Sequence, residues 1–160
     1  GGKLVTDDVR DTPDTAECIF QCPKYVLTYS MRHNTGWRPF GDMDHGIEFL
    51  GDKATLQINR AGYQVYREED RTTRKPFYSE DNQRNNNIDH HLDFLECIRS
   101  RKPTRATAEI GLAAATYGHL ANISYRVGRS VEWNREKETI AHDREASELL
   151  TREYRKPWTV

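Results

Sequence analysis

The sequence predicts an α+β fold in which helices pack on one face of a mostly antiparallel, open-faced sheet. Short β-prone runs joined by turns fill the first part of the chain, and two runs with helical spacing of apolar residues fill the second. Strands followed by helices are typical of the α+β class, whereas α/β proteins alternate the two. The length of 160 residues suits one domain over residues 1–160.

The sheet is predicted over residues 3–67. Residues 6–14 within this range are acidic and rich in turn formers, so they are expected to form a loop. Alternating side chains on both sides of Pro23-Lys24 indicate an antiparallel hairpin, and the short connections that follow indicate a meander. The predicted strands are residues 16–22, 25–31, 46–50, 54–58 and 63–66.

Residues 67–87 separate the predicted sheet from the predicted helices. They are highly charged, lack strand or helix periodicity and end in a cluster of asparagines. Long stretches of this kind between elements are typically surface loops. We therefore predict a mobile loop over residues 67–87.

Two helices are predicted over residues 87–102 and 107–128. The first has an apolar stripe with the spacing of one helical face, and Pro103 ends it. Thr107 is the expected amino-terminal cap of the second helix, and Gly128 suits the left-handed position that ends it. The stripe of the first helix consists of Ile88, His91, Leu92, Leu95 and Ile98. The expected core residues at the centres of the two helices are Leu95 and Leu120.

Residues 131–160 are expected to add smaller elements to this framework. A short strand comes first and is followed by a charged connection. A short helix capped by His142 or Asp143 and an extended tail complete the chain.

The composition argues against several classes of function. A formal net charge of −1, from 24 basic and 25 acidic residues, gives no electrostatic reason to expect nucleic-acid or anionic-membrane binding. No apolar run approaches the length of about 18 residues that indicates a membrane-spanning helix. Three cysteines are too few for a disulfide scaffold. We therefore expect neither nucleic-acid nor membrane partners.

A series of short motifs runs in a fixed order along the chain. They are His91-x-x-x-Leu95-x-x-Ile98-x-x-x-Lys102-Pro103, Glu109-Ile110-Gly111, His119-Leu120-x-Asn122-Ile123-x-Tyr125-Arg126-x-Gly128-Arg129 and Tyr154-Arg155-x-Pro157-Trp158. This series resembles the carboxyl-terminal domain of the Gfo/Idh/MocA family of NAD(P)-dependent sugar oxidoreductases, in its bacterial-type subgroup. The opening Gly1-Gly2-Lys3, with Asp11-Thr12-Pro13-Asp14-Thr15, fits the same resemblance.

The resemblance implies that the intact protein oxidises a hydroxyl of a sugar or cyclitol with NAD or NADP. It also implies that a Rossmann domain of the same polypeptide, with the catalytic lysine, precedes residue 1. The sequence itself contains no GxGxxG fingerprint, so we expect no cofactor-binding residue here. With no catalytic residue expected either, the isolated chain should be inactive.

The resemblance further implies two structural roles for this domain. It would supply the wall of the substrate cleft for a sugar-like small molecule, and it would form a homo-oligomer through the free face of its sheet. The alternative is a stand-alone, non-catalytic binding or dimerisation module. The expected compartment is the cytoplasm, and the alternative is the periplasm if an export signal lies upstream.

Four residues at the end of one predicted strand and in the following loop combine hydrogen-bond donors with an aromatic ring. They are Arg32, His33, Trp37 and Arg38. Sugars are often held by such a combination, so a substrate or interface role is predicted for them. Trp37 could equally cover the edge of the core.

His119, Asn122 and Arg126 lie on one face of the second helix because they are spaced i, i+3, i+7. Histidine and asparagine beside small alanines indicate close packing against another element. Two interpretations stay open for this face. One is hydrogen bonding within the domain; the other, which the resemblance implies, is contact with the cofactor domain.

Two clusters contain side chains that ligate metals, Asp42-Met43-Asp44-His45 and His90-His91-x-Asp93. Neither has an identifiable distant ligand, so no metal site is predicted. The first cluster is interpreted as a polar strand entry, and His91 as a packed structural histidine.

Overall fold

The computed structural model describes residues 1–33, 35–36, 45–70, 72–73, 75–82 and 86–158. In this part of the chain the strands are β1 (Thr15–Gln21), β2 (Val26–Arg32), β3 (Ile47–Leu50), β4 (Ala54–Asn59), β5 (Gly62–Arg67), β6 (Tyr78–Asp81), β7 (Glu132–Asn134) and β8 (Thr139–Ala141). The α-helices are α1 (Asn86–Ser100), α2 (Ala108–Val127) and α3 (Arg144–Glu148). The strands form antiparallel sheets in the orders β1-β2, β3-β4-β5-β6 and β7-β8. Antiparallel sheets together with these helices confirm the predicted α+β class.

The chain divides into two compact units. Unit 1 comprises Gly1–Asn34 and Arg105–Val160, and unit 2 comprises Thr35–Thr104. Unit 1 therefore contains the β1-β2 hairpin, α2, the β7-β8 hairpin and α3, whereas unit 2 contains the four-stranded sheet and α1. A single domain over residues 1–160 stays a prediction.

The core of unit 1 forms where α2 meets the elements that follow it. Leu120 and Ile123 of α2 are buried with Ile140 of β8 and Ala146 of α3. Phe20 of β1 is among the half-buried residues that pack against this cluster. The prediction that Leu120 is a core residue is therefore confirmed. The other half-buried residues against the cluster are Val127, Val131, Trp133 and Leu150.

The ends of α2 and α3 follow from local capping. The Thr107 hydroxyl accepts a hydrogen bond from the Ile110 N–H at 3.4 Å, and Gly128 ends α2 with φ 69°. The Asp143 carboxylate accepts from the Ala146 N–H at 3.0 Å at the start of α3. Each cap satisfies backbone groups that a helix end otherwise leaves without partners. The predicted caps at Thr107 and Gly128 are confirmed, and Asp143 is the cap of α3 of the two candidates. Asn87, which is a predicted cap of the first helix, lies within α1 instead.

The predicted loop over residues 67–87 contains regular structure. A 3₁₀ turn spans Glu68–Asp70, and β6 pairs with β5 in a register that joins Val65 to Tyr78. The loop prediction is therefore wrong for Tyr78–Asp81. The strand is short, exposed and mostly polar, so it lacks the apolar alternation that marks strands in a sequence.

The sheet of unit 2 has one apolar and one polar face. Directly paired residues of antiparallel strands lie on the same face, so the pairs Ile47–Ile58, Phe49–Leu56 and Leu56–Val65 define an apolar face. Ile47 is 61% exposed and Phe49 56% exposed. On the other face Gln57 donates to the Glu48 carboxylate at 2.8 Å. We call the first surface the apolar sheet face; its apolar and aromatic members are Ile47, Phe49, Leu56, Ile58, Tyr63, Val65 and Tyr78. Glu80 of β6 lies on the same face, where its carboxylate accepts from the hydroxyls of Tyr63 and Tyr78 at 3.1 and 3.0 Å.

Helix α1 ends two residues earlier than predicted, because Arg101 adopts a left-handed conformation with φ 59°. The Arg101 N–H donates to the Cys97 carbonyl at 2.9 Å, which closes the last turn. The predicted stripe is exposed along its length, and Leu95 is 49% exposed. The prediction that Leu95 is a core residue is therefore wrong. None of the helices in the described part of the chain is both long enough and apolar enough to cross a membrane.

Candidate functional site

Arg32 ends β2 and is held on the polar face of the hairpin. Its guanidinium forms an ion pair with Glu17 and donates to the Ser30 hydroxyl at 2.6 Å. The Ser30 hydroxyl in turn donates to Glu17 at 2.8 Å, and these two residues are cross-strand partners. An exposed ion pair adds little stability, so its main effect is to orient the guanidinium.

His33 follows Arg32 and is anchored through its backbone. Its N–H donates to the carbonyl oxygen of Asp14 at 2.9 Å, which places the end of β2 beside the start of β1. Its side chain is exposed. The structure thus brings Arg32 and His33 to one end of the hairpin with donors available to a ligand. Trp37 and Arg38, which were predicted to act with them, lie outside the described residues.

Asp14 is the buried charge at this end of the hairpin, with 1% of its surface exposed. Its carboxylate accepts from the N–H groups of Leu4, Val5 and Thr6 at 3.0, 2.9 and 2.7 Å, and from the Thr15 hydroxyl at 2.9 Å. These bonds hold the pKa of Asp14 well below its usual range, the Leu4 N–H most of all. The sequence interpretation missed this residue, since it counted Asp14 with the acidic loop. The position directly before a strand was the one available signal.

The three residues predicted on α2 are all exposed. Arg126 forms an ion pair with Asp11 at 3.2 Å, which joins α2 to the same loop that contains Asp14. His119 and Asn122 point to solvent beside it on the helix. Arg126 therefore makes a contact within unit 1, and contact of this face with a cofactor domain stays a prediction.

Arg129, directly after the Gly128 cap, ties α2 to α3. Its guanidinium donates to both oxygens of Asp143 at 2.9 and 2.8 Å, and to Glu145 at 2.8 Å. The Arg129 guanidinium, followed by the Ala146 N–H, holds the pKa of Asp143 below its usual range. One carboxylate therefore caps α3 and fixes the turn after α2.

The predicted metal-ligating clusters do not assemble a site. Asp42 and Asp44 lie outside the described residues. The rings of His90 and His91 are 6.2 Å apart and both residues are exposed, so the interpretation of His91 as a packed structural histidine is wrong. No group of three or more His, Cys, Asp or Glu side chains that could hold a metal occurs among the residues that the structure describes.

A family model described as the oxidoreductase family, C-terminal alpha/beta domain, matches residues 52–160. The match covers more than half of the chain. The chain belongs to the Gfo/Idh/MocA oxidoreductase family. No curated protein and no solved structure matches the chain.

The matched part of this Gfo/Idh/MocA domain begins after the hairpin. It includes most of the four-stranded sheet, α1, α2 with His119, Asn122 and Arg126, and the Arg129–Asp143 link. The hairpin end with Arg32 and His33 lies before the matched range. A role for that end therefore depends on its own geometry and not on the family match.

Acidification is expected to destabilise unit 1 of this Gfo/Idh/MocA domain. Folding lowers the pKa of Asp14 and Asp143 below the ordinary value of 3.8, so the unfolded chain binds protons more readily than the folded one. Their contribution to stability is complete above that ordinary value and is lost as the pH falls towards the folded pKa. Urea unfolding followed by circular dichroism should give a lower midpoint at about pH 3 than at about pH 7.

Two variants provide controls for this pH dependence. Asp14→Asn should lower the midpoint at neutral pH and flatten its fall on acidification, because the titrating group is gone. Asp52→Asn, in unit 2, should leave the profile of unit 1 unchanged. Equal midpoints for the wild-type chain at both pH values would contradict the prediction.

Proposed function

We propose that this chain is the substrate-side and subunit-interface domain of an NAD(P)-dependent oxidoreductase that acts on a sugar or cyclitol. The observation that carries the proposal is the match of residues 52–160 to the C-terminal domain of the oxidoreductase family. The α+β architecture with antiparallel sheets supports it.

The cofactor belongs to another part of the enzyme. A dinucleotide site needs a glycine-rich turn between a parallel strand and a helix, with the pyrophosphate at the helix start. The described sheets are antiparallel, and the start of α2 is capped by Thr107. These residues do not fit NAD or NADP, so a Rossmann domain of the same polypeptide is the proposed binding partner.

The hairpin end is the proposed contribution of this domain to the substrate cleft. Oxidation of one hydroxyl among several requires the substrate to be held in a single orientation. The Arg32 guanidinium is already oriented by Glu17 and Ser30, and His33 is fixed through its backbone. Both donate hydrogen bonds, which suits them to the neighbouring hydroxyls of a sugar or cyclitol.

Steady-state kinetics of the protein encoded by the complete reading frame test this proposal. With a panel of sugars and cyclitols, reduced nicotinamide should form with at least one of them. Arg32→Ala and His33→Ala should lower kcat/KM for that substrate by about tenfold or more each, which is the loss of one good hydrogen bond in the transition state. Arg135→Ala, on the exposed β7-β8 turn, is the matched control. Unchanged kinetics in both hairpin variants would exclude this role.

A stand-alone, non-catalytic binding or dimerisation module is the second candidate. The exposed apolar sheet face favours it, because such a surface serves association without any catalytic site. The reading frame upstream of Gly1 separates the two candidates. A GxGxxG fingerprint within a βαβ unit would support the oxidoreductase, and a nearby start codon would support the module.

The isolated chain is expected to bind neither NAD nor NADP. It contains no glycine fingerprint and no acidic ribose ligand placed after one. Isothermal titration calorimetry with each nucleotide should give only the heat of dilution. A saturable binding curve in the micromolar range would mean that the cofactor domain is not needed for binding, and would overturn this part of the proposal.

A further inference from the structure

The segment before β1 is held to the hairpin through its backbone. The Gly2 N–H donates to the Thr15 carbonyl at 2.8 Å, and the Thr15 N–H donates back to Gly2 at 3.2 Å. The side chains of Leu4 and Val5 bury little apolar surface, since Leu4 is 72% exposed and Val5 60% exposed. We call residues 2–6 the strap. With little apolar surface buried at Leu4 and Val5, backbone hydrogen bonds must hold this part of the strap in place.

Three of the five strap residues donate to one carboxylate. Leu4, Val5 and Thr6 are consecutive, and all three N–H groups point at Asp14, at 3.0, 2.9 and 2.7 Å. Successive N–H groups that converge in this way form an anion-binding concavity. In this chain the anion is an internal side chain with 1% of its surface exposed.

The main chain of Asp14 makes a second connection. Its carbonyl oxygen accepts from the His33 N–H at 2.9 Å, and its own N–H donates to the Gly2 carbonyl at 3.1 Å. One residue therefore joins the strap, the start of β1 and the end of β2. A displacement of Asp14 would move all three.

We propose that Asp14 is a positioning residue that locks the strap and thereby fixes the Arg32–His33 end of the hairpin. Its side chain satisfies three donors of the strap, and its carbonyl holds His33. The coupling is a property of unit 1 and stands whether or not the chain is part of a sugar oxidoreductase.

The cations near the strap interact with Asp8 and do not pair with Asp14. Lys3 donates to the Asp8 carbonyl and lies 3.7 Å from its carboxylate, and Arg10 pairs with the same carboxylate at 2.6 Å. The nearby cations are thus engaged by Asp8, which is exposed to solvent, while Asp14 is bonded to neutral donors. Removal of the Asp14 side chain leaves three converging N–H groups and a space of carboxylate size, which formate can refill.

Amide hydrogen exchange on the whole chain tests the proposal. In Asp14→Ala the amides of Leu4, Val5, Thr6 and His33 should exchange about tenfold faster or more, and the amides of α2 should be accelerated by a clearly smaller factor. Sodium formate should slow the same four amides again, and sodium chloride at equal ionic strength should not. Asp8→Ala, in the same loop, should leave the four amides unchanged.

Three results would overturn it. Wild-type exchange at the strap in Asp14→Ala means that the carboxylate does not lock it. Faster exchange at the strap with unchanged exchange at His33 means that the two are not coupled. An equal acceleration of exchange throughout α2, or no effect of formate, means that Asp14 serves general stability only. If Asp14→Ala does not fold, Asp14→Asn is measured instead. It keeps one acceptor oxygen and leaves no space for formate, so it is judged by the exchange rates of the strap, His33 and α2 alone.

Discussion

Replacing Leu120 with alanine is expected to lower the free energy of unfolding of unit 1 by about 2–5 kcal/mol. Leu120 is 8% exposed and belongs to the small buried cluster with Ile123, Ile140 and Ala146. Its removal takes away apolar contacts and leaves a cavity where α2, β8 and α3 meet. Urea unfolding followed by circular dichroism measures the loss.

The matched control is Leu112→Ala on the same helix. Leu112 is 54% exposed, and alanine is a strong helix former, so the change should stay within about 0.5 kcal/mol. A loss below about 0.5 kcal/mol for Leu120→Ala would contradict the assignment of the core. Equal losses at both positions would mean that α2 is buried on a different face.

The chain is expected to self-associate through the apolar sheet face. Soluble monomers seldom expose large contiguous apolar patches, and a twofold partner that buries the same face removes it from water. Sedimentation at tens of micromolar should give at least twice the chain mass of 18.7 kDa. Phe49→Glu places a charge on this face, on the edge strand β3, and should shift the mass to that of the monomer, because an unpaired charge is costly to bury.

Gln64→Glu adds the same charge to the opposite face and is the control. The Gln64 side-chain oxygen accepts from the Tyr66 hydroxyl at 2.6 Å, and glutamate retains such an oxygen. This variant should sediment like the wild-type chain. A wild-type monomer at tens of micromolar would contradict the prediction, and a monomer in Gln64→Glu alone would assign association to the polar face.

The features that the sequence predicted correctly depend on few neighbouring residues. A cap is set by a few neighbouring residues, so Thr107 and Gly128 could be assigned directly, and the cap of α3 could be narrowed to His142 or Asp143. The β1-β2 hairpin follows from alternation around one turn. The family could be recognised because its motifs are contiguous, and the match over residues 52–160 confirms that recognition.

The features that it did not predict depend on contacts between distant or polar residues. β6 forms because β5 provides hydrogen-bonding partners for its backbone. The residues of β6 lack the apolar alternation by which a strand is recognised in a sequence. Asp14 is distinguished from its acidic neighbours only by the fold of residues 4–6 onto it. A helical stripe predicts an apolar face but not its burial, and the stripe with Leu95 is exposed.

For the candidate site, too, the residues could be predicted from the sequence, but the contacts that hold them could not. Arg32 and His33 were assigned from residue type and position, and the structure adds the contacts with Glu17 and Asp14 that hold them. Those contacts pair the two strands of the hairpin, so they depend on a register that a pattern of residue types does not specify. The roles proposed for both residues stay predictions that kinetics can test.

The division of the chain into units has a consequence for the order of folding. Unit 2 is continuous, Thr35–Thr104, so it can form as soon as this stretch has left the ribosome. Unit 1 is interrupted, because its hairpin is complete by Arg32 while α2 begins only at Ala108. Phe20 of the hairpin therefore has no packing partner on α2 while unit 2 is being synthesised. During biosynthesis, the amino-terminal hairpin stays without its packing partners on α2 until residues 108–127 have been made, a condition that favours premature association.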